Sequence, residues 1–184
     1  HIGKNTSDIK SVMILGAGRI AYYLCTLLLQ MHMHVKVVEL DEERAEAFSQ
    51  MVPGASVIVG DGTDQELLIS ENLSHYDALV TLSGLDEENI MTGLYAQNAG
   101  VRKVIVKNSR DNYLDLLGAI GLESAVSTRQ VVGNTILRTV RTRSAADLAV
   151  PIERLYRIMD GAVEALEFVV HKQDTLVDIP LKNL

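Results

Sequence analysis

The sequence predicts an α/β fold, a doubly wound parallel sheet with helices on both faces. Three observations point to it. Short β-branched runs alternate with amphipathic helical stretches along most of the 184 residues. The runs are apolar on both faces, as strands buried between two helical layers are. Aromatic residues make up only 4% and Trp is absent, so the core has to be aliphatic, built from Val, Leu, Ile and Ala.

Val12-Met13-Ile14-Leu15 reads as a first buried strand. Ile20, Leu24, Leu27, Leu28 and Met31 follow at helical spacing. Val35-Lys36-Val37-Val38 is the second strand, and Asp41 caps a helix that carries Ala45 and Phe48 on one face. Ser56 to Val59 is the third strand. Thr63 and Glu66 stand at the spacing of a capping box, which predicts a short helix opened by Thr63. Ala78 to Leu82 is the fourth strand. Asp86 starts a helix through Ile90, Met91, Leu94 and Tyr95 that Gly100 closes. Val104 to Val106 is a fifth strand and Ala125-Val126 a weak sixth. Ser127 and Gln130 form a second capping box, and the helix behind it runs to about Thr142. Its stripe of Val132, Ile136 and Val140, flanked by Val131 and Leu137, is broader than one sheet face needs. That helix either packs on this sheet or crosses to a partner subunit.

The character changes past Arg143. Pro151 marks a break, and Glu164 to Val170 alternates with period two, as a half-exposed antiparallel strand does. The segments expected are therefore 1–10, a polar linker or appended tail; 11–145, the sheet domain with its last helix at about 127–142; and 146–184, the truncated start of a small α+β subdomain, or a strand lent to a neighbour.

Charge and composition exclude several functions. The net charge of −7 argues against nucleic-acid binding, which wants a basic face. Arg138, Arg141 and Arg143 form the one basic run, suited to a solvated helix end, or else to an acidic partner surface or lipid headgroups. A single cysteine, Cys25, rules out an internal disulfide and suits a reducing cytosol; within its helix it reads as a small buried hydrophobe. No apolar stretch approaches the roughly 18 residues that span a bilayer.

The chemistry concentrates in Gly16-Ala17-Gly18-Arg19-Ile20-Ala21, which follows a strand directly and opens a helix directly. Gly16 permits the tight turn, Gly18 lets the backbone approach a pyrophosphate, and Ala21 keeps helix and strand close. The anion would sit on the helix N-terminus. In that strand-to-helix context it reads as a Rossmann-type phosphate turn. Glu39 ends the second strand 23 residues after Gly16, the place for an acid that binds ribose hydroxyls, the other reading being a solvated strand-end residue. A carboxylate there repels a 2′-phosphate, which favours NAD or an adenosine nucleotide over NADP. Arg19 either closes over the phosphates or is a solvated charge. Asp61, at the end of the third strand, is either an acceptor for the adenine amino group or a turn residue capping its own backbone. Lys107 and Arg110 lie past the fifth strand, within reach of phosphates across the crevice. Ile20 completes the candidate set of Gly16, Gly18, Arg19, Ile20, Glu39, Asp61 and Lys107.

Catalytic groups are not evident. His32 and His34 follow a helix C-terminus away from the crevice, and His75 sits in a helix-to-strand connection. No Cys/His metal spacing and no serine elbow occurs. Ligand sensing gains by elimination, with the nucleotide half of an NAD-dependent oxidoreductase as the alternative.

The chain resembles the regulator-of-potassium-conductance domains, and most closely the second of the tandem domains in the peripheral NAD-binding subunits of bacterial Trk potassium uptake systems. The resemblance rests on Ile14 to Ala21, on Val59-Gly60-Asp61-Gly62-Thr63-Asp64-Gln65-Glu66-Leu67-Leu68, on Asp86-Glu87-Glu88-Asn89-Ile90-Met91, and on Met159 to Ala165. It covers nearly everything after the first ten residues. It implies a cytoplasmic gating subunit, not an enzyme, peripheral to the inner face of the cell membrane. It implies NAD(H) as ligand, or ATP and ADP as in close relatives, and a Trk- or Ktr-type membrane potassium channel subunit as partner. By position, Gly16, Gly18 and Arg19 would hold the phosphates, Glu39 the ribose and Asp61 the adenine end. The helix from Ser127 would be the family's crossover helix, through which copies assemble. The resemblance departs in two respects: such subunits carry two domains in tandem where a single copy is read here, and the C-terminal subdomain reads as incomplete.

Overall fold

Residues 9–110, 117–118, 120–122, 124–144, 152–158 and 163–168 are described by the structure, a computed structural model. The expectations that fall on residues 1–8, on Pro151 and on Val170 lie outside the described residues, as do the side chains of Arg138, Val140, Arg141 and Arg143.

β1 (Ser11–Leu15), β2 (His34–Glu39), β3 (Ser56–Val59), β4 (Ala78–Thr81), β5 (Lys103–Asn108) and β6 (Ala125–Ser127) form one parallel sheet in the order β3-β2-β1-β4-β5-β6. The order reverses beside β1, whose registers run Val12 to Val35 on one side and Val12 to Ala78 on the other. In open α/β sheets the ligand crevice lies at such a switch point, outside the carboxyl ends of the strands.

Both faces of β1 are covered. Val12 and Ile14 pack with Val35, Val37 and Phe48 on one side, joined by Ala21 and Cys25 of α1 (Arg19–Gln30). Met13 and Leu15 pack with Val38, Leu79, Leu68 and Ala96 on the other. Leu68 comes from α3 (Gln65–Ser70) and Ala96 from α4 (Asp86–Asn98). Burial pushes the Cys25 thiol up to about 11, as a small inert hydrophobe requires.

The helix ends at Asp41 and Gly100 match the sequence signals, and the start of α3 is a correction. Asp41 caps α2 (Glu42–Met51), its carboxylate accepting from the N–H of Arg44 at 2.8 Å. Gly100, at φ +90°, closes α4: its N–H reaches the Gln97 carbonyl, and that of Val101 reaches Ala96. α3 is capped by Asp64, which accepts from the Glu66 N–H at 2.9 Å, and not by Thr63. The Thr63 hydroxyl is spent on Asp61 instead. α5 (Thr128–Ser144) starts directly after Ser127, and Val131, Val132, Ile136 and Leu137 on it are exposed.

The chain divides into two compact units, residues 1–128 and 129–184. In the second, β7 (Ile152–Ile158) pairs antiparallel with β8 (Val163–Phe168), Leu155 opposite Leu166. β8 is the alternating segment read from sequence. β7 carries no clean alternation, and its register shifts between Ile152 and Arg154, which is how a bulge hides a strand from a period-two reading.

Candidate functional site

The chain leaves β1 at Leu15 and turns at Gly16. Gly16 has φ +99°, in the left-handed region, and its N–H donates to the Val38 carbonyl at 2.8 Å. A Cβ on it would stand 3.2 Å from the Leu82 carbonyl carbon and oxygen. Backbone conformation and packing both demand glycine there. Gly18 is different. It is the N-cap of α1 with φ −82° and ψ −176°, extended backbone that any residue adopts. A Cβ on it would meet no atom within 4 Å. Nothing within the described chain requires glycine at 18. What a side chain there would fill is the approach to the start of α1. That helix has no side-chain cap and no acid in its first turn, so its N–H groups and dipole are presented to the cleft.

Glu39 ends β2 and is buried, at 5% exposure. Its carboxylate is held by the turn and by the next helix. Oε2 accepts from the Ala17 N–H at 2.7 Å, and Oε1 from the Asp41 N–H at 3.1 Å and from the Arg44 guanidinium at 3.0 Å. Glu39, the glycine turn and the start of α2 are thereby one hydrogen-bonded unit.

Asp61 lies in the loop after β3. Its Oδ1 accepts from both the N–H and the hydroxyl of Thr63, at 2.8 and 2.7 Å, an Asx turn. Those bonds, the hydroxyl's first, hold its carboxyl below the ordinary carboxylate value. Oδ1 is thus committed to the backbone-capping role weighed from sequence, while the residue also lines the cleft.

Asn89 lines the opposite wall, and Asp86 braces the strand ends behind it. The Asn89 side chain accepts from the Ser83 N–H at 2.9 Å and donates to the carbonyls of Ser83 and Lys107, both at 3.2 Å. The Thr81 hydroxyl donates to the Asn89 carbonyl. Both Asp86 oxygens accept from the Ser109 N–H at 3.0 Å. These buried groups tie the carboxyl ends of β4 and β5 to the start of α4. Lys107 joins them, its ammonium donating to the Ser83 carbonyl at 2.6 Å.

A cavity of about 360 Å³ opens between these walls. The structure brings Gly16, Gly18, Glu39, Asp61 and Lys107 around it. Arg19 and Ile20 are not in its lining: Arg19 is exposed, and Ile20 lines a separate apolar groove with Leu24, Leu28 and Val80. Arg110 pairs with Glu87 at 3.0 Å, also outside the lining. Sequence reasoning missed Arg44, Ser83 and Asn89. The Asp86-to-Met91 segment was conspicuous but carried no assigned role, because its contacts reach across to the β4 and β5 ends. Among the described residues no group of three His, Cys, Asp or Glu is placed to hold a metal. None of their helices is long and apolar enough to cross a membrane.

Residues 12–128 match the family described as TrkA-N domain. The chain is 36% identical over 166 residues to the Trk system potassium uptake protein TrkA of Vibrio alginolyticus, covering 90% of this chain and 34% of that protein. To the TrkA homolog of Archaeoglobus fulgidus it is 34% identical over 175 residues, covering 95% and 38%. The chain thus spans well under half the length of these curated relatives. Among solved structures, the GsuK channel bound to NAD superposes with a TM-score of 0.63 at 20% identity, covering 86% of this chain and 27% of that one. That likeness bears on the fold.

Proposed function

The chain belongs to the TrkA-N domain family, and from that premise we propose that it is the nucleotide-sensing part of a cytoplasmic regulatory subunit for potassium uptake. The ligand is NAD(H), with ATP or ADP as the other candidates. Its diphosphate sits on Gly16, Gly18 and the start of α1, with Arg19 closing from outside and Ile20 contributing backbone only. Its ribose meets Glu39, its adenine end meets Asp61, and Lys107 serves the far side. Residues 11–145 form the nucleotide-binding domain and residues 146–184 belong to the smaller C-terminal subdomain. Copies assemble through α5, as a crossover helix, beneath a Trk- or Ktr-type membrane subunit at the inner face of the membrane. The chain acts by binding, not by catalysis: ligand favours one assembled conformation over another and shifts the population.

The observation that carries this reading is Gly18, a glycine that neither φ nor packing requires, at the N-terminus of an uncapped helix beside a buried acid. The names of the relatives support the potassium-uptake context, and the NAD in the GsuK channel supports the ligand class.

Calorimetric titration with NAD, NADH, ATP and ADP tests it. The chain binds at least one of them, Gly18→Val abolishes binding with the thermal midpoint unchanged, and Glu39→Ala weakens it. A Gly18→Val or Glu39→Ala variant that binds as the parent does removes the corresponding assignment. Steady turnover of NADH with a small carbonyl substrate would favour the oxidoreductase reading instead.

A further inference from the structure

Arg44 has no role in what precedes except as a neighbour of Glu39. It stands in the first turn of α2, where the Asp41 carboxylate fixes its N–H. Its guanidinium lies 3.0 Å from Glu39 Oε1 and 3.8 Å from Asp41 Oδ1, with 65% of the side chain exposed against 6% for Glu39. Both residues line the cleft next to Leu40 and Asp61.

A carboxylate offers about four acceptor positions. Glu39 has committed three, two on Oε1 and one on Oε2. One position on Oε2 is left for a ribose hydroxyl. The guanidinium carries five donors in a planar fork that matches phosphate geometry, and the pair with Glu39 leaves most of that fork toward solvent at the cleft rim. An isolated acid at the end of β2 repels a phosphate on the ribose. An acid paired with an adjoining guanidinium repels it much less, and the guanidinium supplies donors of its own.

We propose that Arg44 is a second specificity-determining residue of the cleft, a phosphate-binding group beside the ribose acid, so that the Glu39–Arg44 pair sets the discrimination between NAD and 2′-phosphorylated NADP. It adds Arg44 to the expectation built on Glu39. The inference rests on the nucleotide-site reading above.

The test is calorimetric titration of the whole chain with NAD and with NADP, each variant first checked by thermal melting. Arg44→Ala leaves the Ala17 and Asp41 bonds to Glu39 in place. It weakens NADP about tenfold or more, the size expected on losing one charge-assisted hydrogen bond, and weakens NAD by a clearly smaller factor. Arg44→Lys, which keeps the charge and loses the fork, falls between. Where the parent shows no measurable NADP binding, Glu39→Gln gains it, and Glu39→Gln with Arg44→Ala loses it again. Affinities for NAD and NADP that fall by the same factor in Arg44→Ala overturn the proposal, and so does NADP binding that is indifferent to Arg44 in either background. If NAD binds and Gly18→Val abolishes it, such a result sinks this inference alone. If no adenosine nucleotide binds the parent, both readings fall.

Discussion

Three hydrogen bonds to the Glu39 carboxylate come from the glycine turn, the residue before α2 and α2 itself, so one side chain fixes the relative positions of all three. Asn89 does the same on the opposite wall. Replacing it with Ala deprives the Ser83 N–H of its side-chain acceptor and the Ser83 and Lys107 carbonyls of one donor each, and we expect a loss of about 2–3 kcal/mol, read as a lower urea midpoint with an unchanged m-value. Asp77 is the corresponding tie at the other end of the sheet. Its Oδ2 accepts from the N–H groups of Lys10 and Ser11, and Arg102 pairs with Oδ1. The Lys10 bond above all, with Arg102 next, holds its carboxyl well below the usual carboxylate range. The unfolded chain therefore takes up the proton first. Asp77's stabilising contribution is present above the ordinary value of about 4 and is lost as pH falls below it. Asp77→Asn should flatten the fall in stability on acidification below about pH 4; an unchanged slope in acid urea titrations would count against this tie.

At the scale of elements, α4 lies against β5 through a glycine. A Cβ on Gly93 would come within 2.5 Å of Val106 Cγ2 and 3.4 Å of Val104 Cγ1. Gly133 on α5 meets nothing within 4 Å. The two should respond with opposite signs. Gly93→Ala costs about 1–3 kcal/mol by overpacking, whereas Gly133→Ala gains up to about 1 kcal/mol from helix propensity. Equilibrium unfolding of both variants checks the pair, and a stabilising Gly93→Ala would mean that α4 can move off the sheet at little cost. His32 shows the same logic without glycine. At φ 59° it takes the left-handed position that ends α1, with its N–H on Leu29 and that of Met33 on Leu28. This places it at the N-terminal edge of β2, away from the cleft, as its sequence position suggested.

For the whole molecule, α5 exposes Val131, Val132, Ile136 and Leu137 along one stretch. The assembly part of the proposed function makes this stretch an interface between copies. Gel filtration with and without NAD should show an oligomer whose size or stability changes with ligand. A strict monomer in both states would remove α5 from that role while leaving the nucleotide site untouched.

The doubly wound sheet was legible in the sequence because its signals are local. Apolar runs such as Val12 to Leu15, the caps at Asp41 and Gly100, and the Gly16-to-Ala21 turn each declare themselves within a few residues. The spacing from that turn to Glu39 is nearly as local, since one helix and one strand fix it. The sequence misplaced the cap of α3 because Thr63 and Asp64 both suit the position, and the choice depended on Asp61 claiming the Thr63 hydroxyl. It missed Asn89, Ser83 and Arg44 as parts of the site for a related reason. Their roles come from contacts made only after β4, β5 and α2 are brought to one end of the sheet. The sequence by itself determined the fold and the place of the glycine turn at the end of β1. Only the tertiary structure decided which side chains share that place and how the Glu39 charge is partnered, because those depend on distances between segments that the chain's local pattern does not encode.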